Sequence, residues 1–196
     1  VNAVQENLTE LPDRRLDPLA SASSWSRLFR ELADGRSEAL EGLWQLAARD
    51  MYGLALWRTG SREDAEDAVQ DAFVRLAEQR DRLAAVRDPR AWTLTLVHRI
   101  AVDLTRRRAR RAALPLEGCP YLQAETGDLN AALDSRRLSA LLSELPAAQR
   151  TVVYLRHFTD CTFAAIGAVT GVPTFTAASR YRLGMRRLRR LMEEGS

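Results

Sequence analysis

Apolar residues recur every three to four positions over nearly all of this chain, and no segment alternates convincingly. That period gathers side chains on one face of a helix but scatters them over both faces of a strand, so helices are the structure the chain can form. Trp25, Leu28, Phe29 and Leu32 make one such face, with Gly35 as its stop. Leu40, Leu43, Ala47, Met51 and Leu54 make another, from Ser37 to about Trp57. After Gly60, Ser61 stands three residues before Asp64 and predicts a capped helix that turns Ala65, Ala68, Val69, Ala72, Phe73 and Leu76 inward. Asp88 and Pro89 open the next, because a proline at the first helical position has no N–H to lose. It runs to about Arg110 on a stripe of Leu96, Val97, Ile100 and Leu104.

Between Ala112 and Asn130 the periodicity fades into "AALPLEGCPYLQAETGDLN", with two prolines and two glycines. Helical pattern resumes with "DSRRLSALLSEL" and "PAAQRTVVYLRHF". The expected fold is all-α: a helical module over 24–111, a flexible linker over 112–130, and a second helical module over 131–193. Residues 1–23 read as a polar, mobile tail with no basic-then-apolar signal-peptide pattern. No apolar run approaches the length that spans a membrane. Cys119 and Cys161 are far apart and lack a CxxC partner, which excludes a disulfide framework and points to a reducing, cytoplasmic setting.

The C-terminal stretch has helix-turn-helix proportions. A short helix from about Thr162 to Val169 leads to a turn at Thr170–Gly171, where glycine supplies positive φ. A longer arginine-rich helix starts near Thr174, with Thr176 and Ser179 on its first turns beside Arg180 and Arg182, and Arg186 further along. Hydroxyls and guanidinium groups of this kind bond phosphates and base edges in the major groove. A second basic stretch, "HRIAVDLTRRRARR", concentrates Arg99, Arg106, Arg107, Arg108, Arg110 and Arg111. Its two readings are complementation of a helix dipole and a patch along a DNA backbone. Trp92 lies two turns upstream and either packs in the core or stacks on an exposed base.

One helix runs against this basic character. "SREDAEDAVQDAF" places Asp67, Gln70 and Asp71 on a face away from its apolar stripe, with Glu63 one turn before Asp67. Catalytic or metal-binding carboxylates want convergent ligands, and neither His98 nor His157 has ligand spacing. The expectation is no metal, no cofactor and no active site. An acidic face cannot lie on DNA, so it is either solvated or docks a basic protein.

In this order the parts resemble a bacterial RNA polymerase sigma factor of the small extracytoplasmic-function (ECF) group. "DAEDAVQDAFVRLAEQ" resembles the core-polymerase-binding helix of sigma region two, and "DPRAWTLTLVHRIAVDLTRRR" its −10-element helix. The stretch from "LSELPAAQRTVVYLRHF" to "RYRLGMRRLRRL" resembles region four, which binds the −35 element. The resemblance covers about 37–111 and 133–192. It implies that Asp67, Gln70 and Asp71 face the β′ coiled coil of core RNA polymerase. It implies −10 contacts by Trp92, His98, Arg99, Arg106 and Arg107, and −35 contacts by Thr176, Ser179, Arg180, Arg182 and Arg186. Region four would also rest on the β flap, and an anti-sigma factor is a further partner by family habit.

The chain departs from the family pattern at several places. Ala165 stands where a glutamate is frequent, Phe175 where a glycine is common, Ala178 where a basic residue is frequent, Leu183 where arginine occurs, and Arg99 where many relatives have asparagine. Fewer −35 contacts follow. The implied activity is promoter-directed transcription initiation; a stand-alone helix-turn-helix regulator, binding duplex operator without polymerase, is the alternative.

Overall fold

The computed structural model describes residues 18–111 and 140–194. Among the described residues there are helices and no strands: α1 Pro18–Ala33, α2 Ala39–Thr59, α3 Arg62–Glu78, α4 Arg80–Leu83, α5 Pro89–Arg111, α6 Ala147–His157, α7 Phe163–Thr170 and α8 Thr174–Glu194. The linker expected over 112–130 and the start of the second module lie outside the described residues. Helix α1 begins inside the stretch read as a tail. Pro18 takes the first helical position, a start signal that the small and polar residues before Trp25 do not reinforce with an apolar face.

The helix starts follow local chemistry. The Ser61 hydroxyl accepts from the Asp64 N–H at 3.3 Å and caps α3. The Asp88 carboxylate accepts from the Ala91 N–H at 2.9 Å and caps α5, just ahead of Pro89. In the second module the Thr162 hydroxyl accepts from the Ala165 N–H at 3.2 Å. Gly171 closes α7 in the left-handed region at φ 69°, and the Val172 N–H donates back to the Gly167 carbonyl at 3.0 Å. This closing turn reverses the chain within a few residues and sets α8 across α7.

In the first module α2, α3 and α5 pack on one another, with α1 laid over α2, α4 and α5. Leu43, Met51, Leu54, Val69, Leu76, Leu94 and Val97 lie fully buried between them. The stripe on α5 is wider than its period suggests. Thr93, Leu94, Val97, His98, Ile100 and Ala101 are buried, whereas Leu96 and Leu104 are only partly so. Helix α5 touches α7 of the other module as well as α1, α2 and α3. In the second module α6, α7 and α8 pack around Val152, Leu155, Ile166, Val169, Ala177 and Leu188. The two modules form one body, joined where α2 meets α6 and α5 meets α7.

Leu54 has no exposed surface and belongs to the buried core. Leu54→Ala is expected to cost about 2–5 kcal/mol, and Ser61→Ala about 1 kcal/mol through the lost cap. Urea unfolding followed by circular dichroism measures both.

Candidate nucleic-acid interface

Three surfaces expected from the sequence occupy three different helices. On α3, Asp67 is exposed and Gln70 and Asp71 are half-buried, all on the side opposite Ala65, Ala68, Ala72 and Leu76. The Arg75 guanidinium donates to both oxygens of Asp71, at 3.2 and 2.9 Å, which holds that carboxylate in one orientation. At the start of α3 the Asp64 carboxylate accepts from Arg108 of α5 at 3.0 Å, so this arginine of the basic run braces the fold. Val74, 55 % exposed, continues the Asp67–Gln70–Asp71 strip by one more turn. Its signal in the sequence was only the i, i+3 spacing after Asp71.

On α5, Arg99, Arg106 and Arg107 are exposed, and Arg106 lies 3.9 Å from Asp103 in a solvent-screened pair. Trp92 shares the stripe of Arg99 and Arg106, at spacings of seven. Its ring is half-buried and meets Phe29 of α1 edge-on at 5.9 Å. His98 falls on the inner side and is only 9 % exposed, so in this conformation its ring is not offered to a DNA strand. Its Nδ1 has no hydrogen-bond partner among the described residues. Burial, reinforced by the cations Arg58 and Arg99, pushes its pKa down to about 4. Of the five residues expected to meet the −10 strand, the three arginines stand in solvent and the two rings are turned toward the core.

On α8, Arg182 and Arg186 are exposed and Thr176, Ser179 and Arg180 are half-buried. Phe175, 74 % exposed, and Leu183, 47 % exposed, are apolar groups on the same helix. Helix α8 is braced by contacts that no local pattern announces. The His157 ring nitrogen bonds the Tyr181 hydroxyl at 3.0 Å, Phe163 meets the Tyr181 ring at 5.4 Å, and Arg156 lies over Phe163. These four side chains come from α6, α7 and α8, so only the tertiary fold assembles them. Among the described residues no cluster of three or more His, Cys, Asp or Glu side chains could hold a metal ion. No helix among them is long and apolar enough to cross a membrane.

The described modules coincide with two family models: Sigma-70 region 2 matches residues 43–111, and Sigma-70, region 4 matches residues 141–190. Among similar proteins, the ECF RNA polymerase sigma factor SigL of Mycobacterium tuberculosis is 29 % identical over 166 residues, 80 % of this chain and 93 % of the relative. The chain belongs to the ECF sigma factors. The ECF RNA polymerase sigma factor RpoE of Cereibacter sphaeroides is 27 % identical over 177 residues, 87 % of this chain and 96 % of its own. Two solved structures share the fold of this sigma factor at 21 % identity. The sigma factor RpoE in complex with the anti-sigma factor NepR, from Bartonella quintana, has a TM-score of 0.67 and covers 78 % of this chain and 96 % of its own. CnrH in complex with the cytosolic domain of CnrY has a TM-score of 0.64, with 88 % and 99 % covered.

The depressed pKa of His98 carries a pH dependence. The unfolded chain takes up the proton near pH 6.5 and the folded chain only near pH 4. Stability from this residue is therefore complete above pH 6.5 and is lost as pH falls through that window, by up to about 3 kcal/mol. Thermal melts from pH 7.5 to 4.5 are expected to show that loss, and His98→Leu is expected to flatten it.

Proposed function

We propose that this sigma factor is a transcription initiation factor without an active site, which binds core RNA polymerase and directs it to promoters through −10 and −35 elements. The single observation that carries the reading is the division of charge over the two sigma-70 modules. Asp67 and Asp71 stand out on α3, while exposed arginines stand on α5 and α8. A carboxylate face repels phosphate and suits a basic protein surface, such as the β′ coiled coil. Arg99, Arg106 and Arg107 suit the melted −10 strand, and Arg182, Arg186, Thr176, Ser179 and Arg180 suit the −35 duplex. Region four on the β flap completes the polymerase contact, and the protein works in the cytoplasm, where polymerase is. The solved complexes with an anti-sigma factor and with the cytosolic domain of CnrY support a protein antagonist for this chain as well.

Run-off transcription with purified core polymerase tests the reading: specific transcripts are expected only when the chain is added. Tight binding to duplex DNA without polymerase, and no transcripts with it, would instead establish a free-standing regulator. Asp67→Arg with Asp71→Arg is expected to weaken core binding about tenfold, equivalent to about 1.4 kcal/mol, while leaving the melting temperature within a few degrees. Arg182→Ala with Arg186→Ala is expected to lower −35-dependent transcription and to reduce its salt dependence by roughly two phosphate contacts, with core affinity unchanged.

A further inference from the structure

Phe175 is 74 % exposed, more than any other large apolar side chain among the described residues. It stands on the first turn of α8, one position after Thr174 opens the helix. The buried side of that helix carries Ala177, Gly184 and Leu188, which at about 100° per residue lie roughly half a turn round from Phe175. The ring therefore adds nothing to the packing of the second module.

A single exposed apolar residue is ordinary by itself. What sets this one apart is its company. Arg182 and Arg186, seven and eleven positions further on, are both exposed and fall within about 20° of Phe175 around the helix axis. Ala178 and Ser179, one turn on and on the same side, are short and leave the ring clear. A phenyl group thus leads a stripe whose later members are guanidinium groups.

Chemistry narrows what that ring can meet. Helices α7 and α8, with the turn at Gly171 between them, have the arrangement in which the opening turns of the second helix reach base edges. Against a phosphate, a phenyl ring would displace water from a charge and return no hydrogen bond, which is unfavourable. The base edges of the major groove carry donors and acceptors and one kind of apolar group, the C5-methyl of thymine. Covering a methyl with the ring removes apolar surface of both partners from water. Arg182 and Arg186 on the same stripe hold the helix in the groove through phosphate or guanine, so the ring need not supply the affinity.

We propose that Phe175 is a specificity-determining residue, which packs its ring on the C5-methyl of a thymine in the −35 duplex and makes promoter choice depend on that base. The proposal rests on the sigma factor reading for the identity of the duplex and deepens it. Thr176, Ser179 and the arginines select by hydrogen bonds, whereas Phe175 selects by an apolar contact. Deoxyuridine isolates that contact, because it offers the donors and acceptors of thymidine without the methyl.

Holoenzyme assembled from core polymerase and the full chain is offered a library of random-sequence duplexes, and the bound duplexes are sequenced. Wild type is expected to enrich a two-part motif with a fixed thymine in its upstream part. Phe175→Ala is expected to enrich the same motif with that position released, and to melt with the wild type, since the ring supports no packing. On the selected duplex, deoxyuridine in place of that thymidine is expected to weaken wild-type binding about fourfold, equivalent to about 0.8 kcal/mol for one buried methyl. The same replacement is expected to leave binding by Phe175→Ala unaltered. Retention of every upstream thymine by Phe175→Ala would overturn the proposal, as would equal wild-type affinity for the two duplexes. Loss of core polymerase binding by Phe175→Ala with the thymine preference intact would also overturn it, and would assign the ring to a protein contact. A wild-type holoenzyme that enriches no upstream motif would bring down the sigma factor reading of α8 beneath the proposal, a result distinct from all of these.

Discussion

The crossing of α2 with α6 at Gly53 is the contact on which the arrangement of the whole chain depends. Helix α2 is the one element that α1, α3, α5 and α6 all touch, and from Met51 to Trp57 only Tyr52 escapes full burial. Close approach of two helices needs a small residue on one of them, and Gly53 provides it where Tyr154 descends. Had α2 carried a branched residue there, α6 would stand off, and the Trp57–Tyr154–Phe158 aromatic group would open to water. The modules meet a second time where α7 rests on α5.

Electrostatics divides the surface that packing leaves free. Carboxylates on α3 and arginines on α5 and α8 face solvent from different helices. Where opposite charges do meet, they hold helices in place: Asp64 with Arg108 ties α3 to α5, Asp50 with Arg90 ties α2 to α5, and Asp71 with Arg75 stiffens α3. Pairs as exposed as these contribute little stability each, about 0.2–1 kcal/mol. Their effect is on orientation, and it leaves Asp67, Arg99, Arg107, Arg182 and Arg186 to present charge outward. A polymerase subunit needs that separation, because one face must meet a protein and another must meet phosphate.

The starts of α3, α5 and α7 and the inner face of α3 were legible in the residue order, whereas the start of α1 at Pro18 was not. Ser61, Asp88, Pro89 and Gly171 act through hydrogen bonds and backbone angles within a few residues, so their roles are legible in order along the chain. The apolar period of α3 likewise reported its inner face, and with it the outward position of Asp67. Contacts between helices far apart in the chain are set by packing alone. A period of three to four residues describes one contact face and carries no trace of another helix arriving from 104 residues away, as Tyr154 does at Asp50. Nor does it report that His98 is buried, that Trp92 leans on Phe29, or that His157, Phe163 and Tyr181 meet. Gly53, an unremarked glycine in a helical pattern, is the seat on which the two modules join.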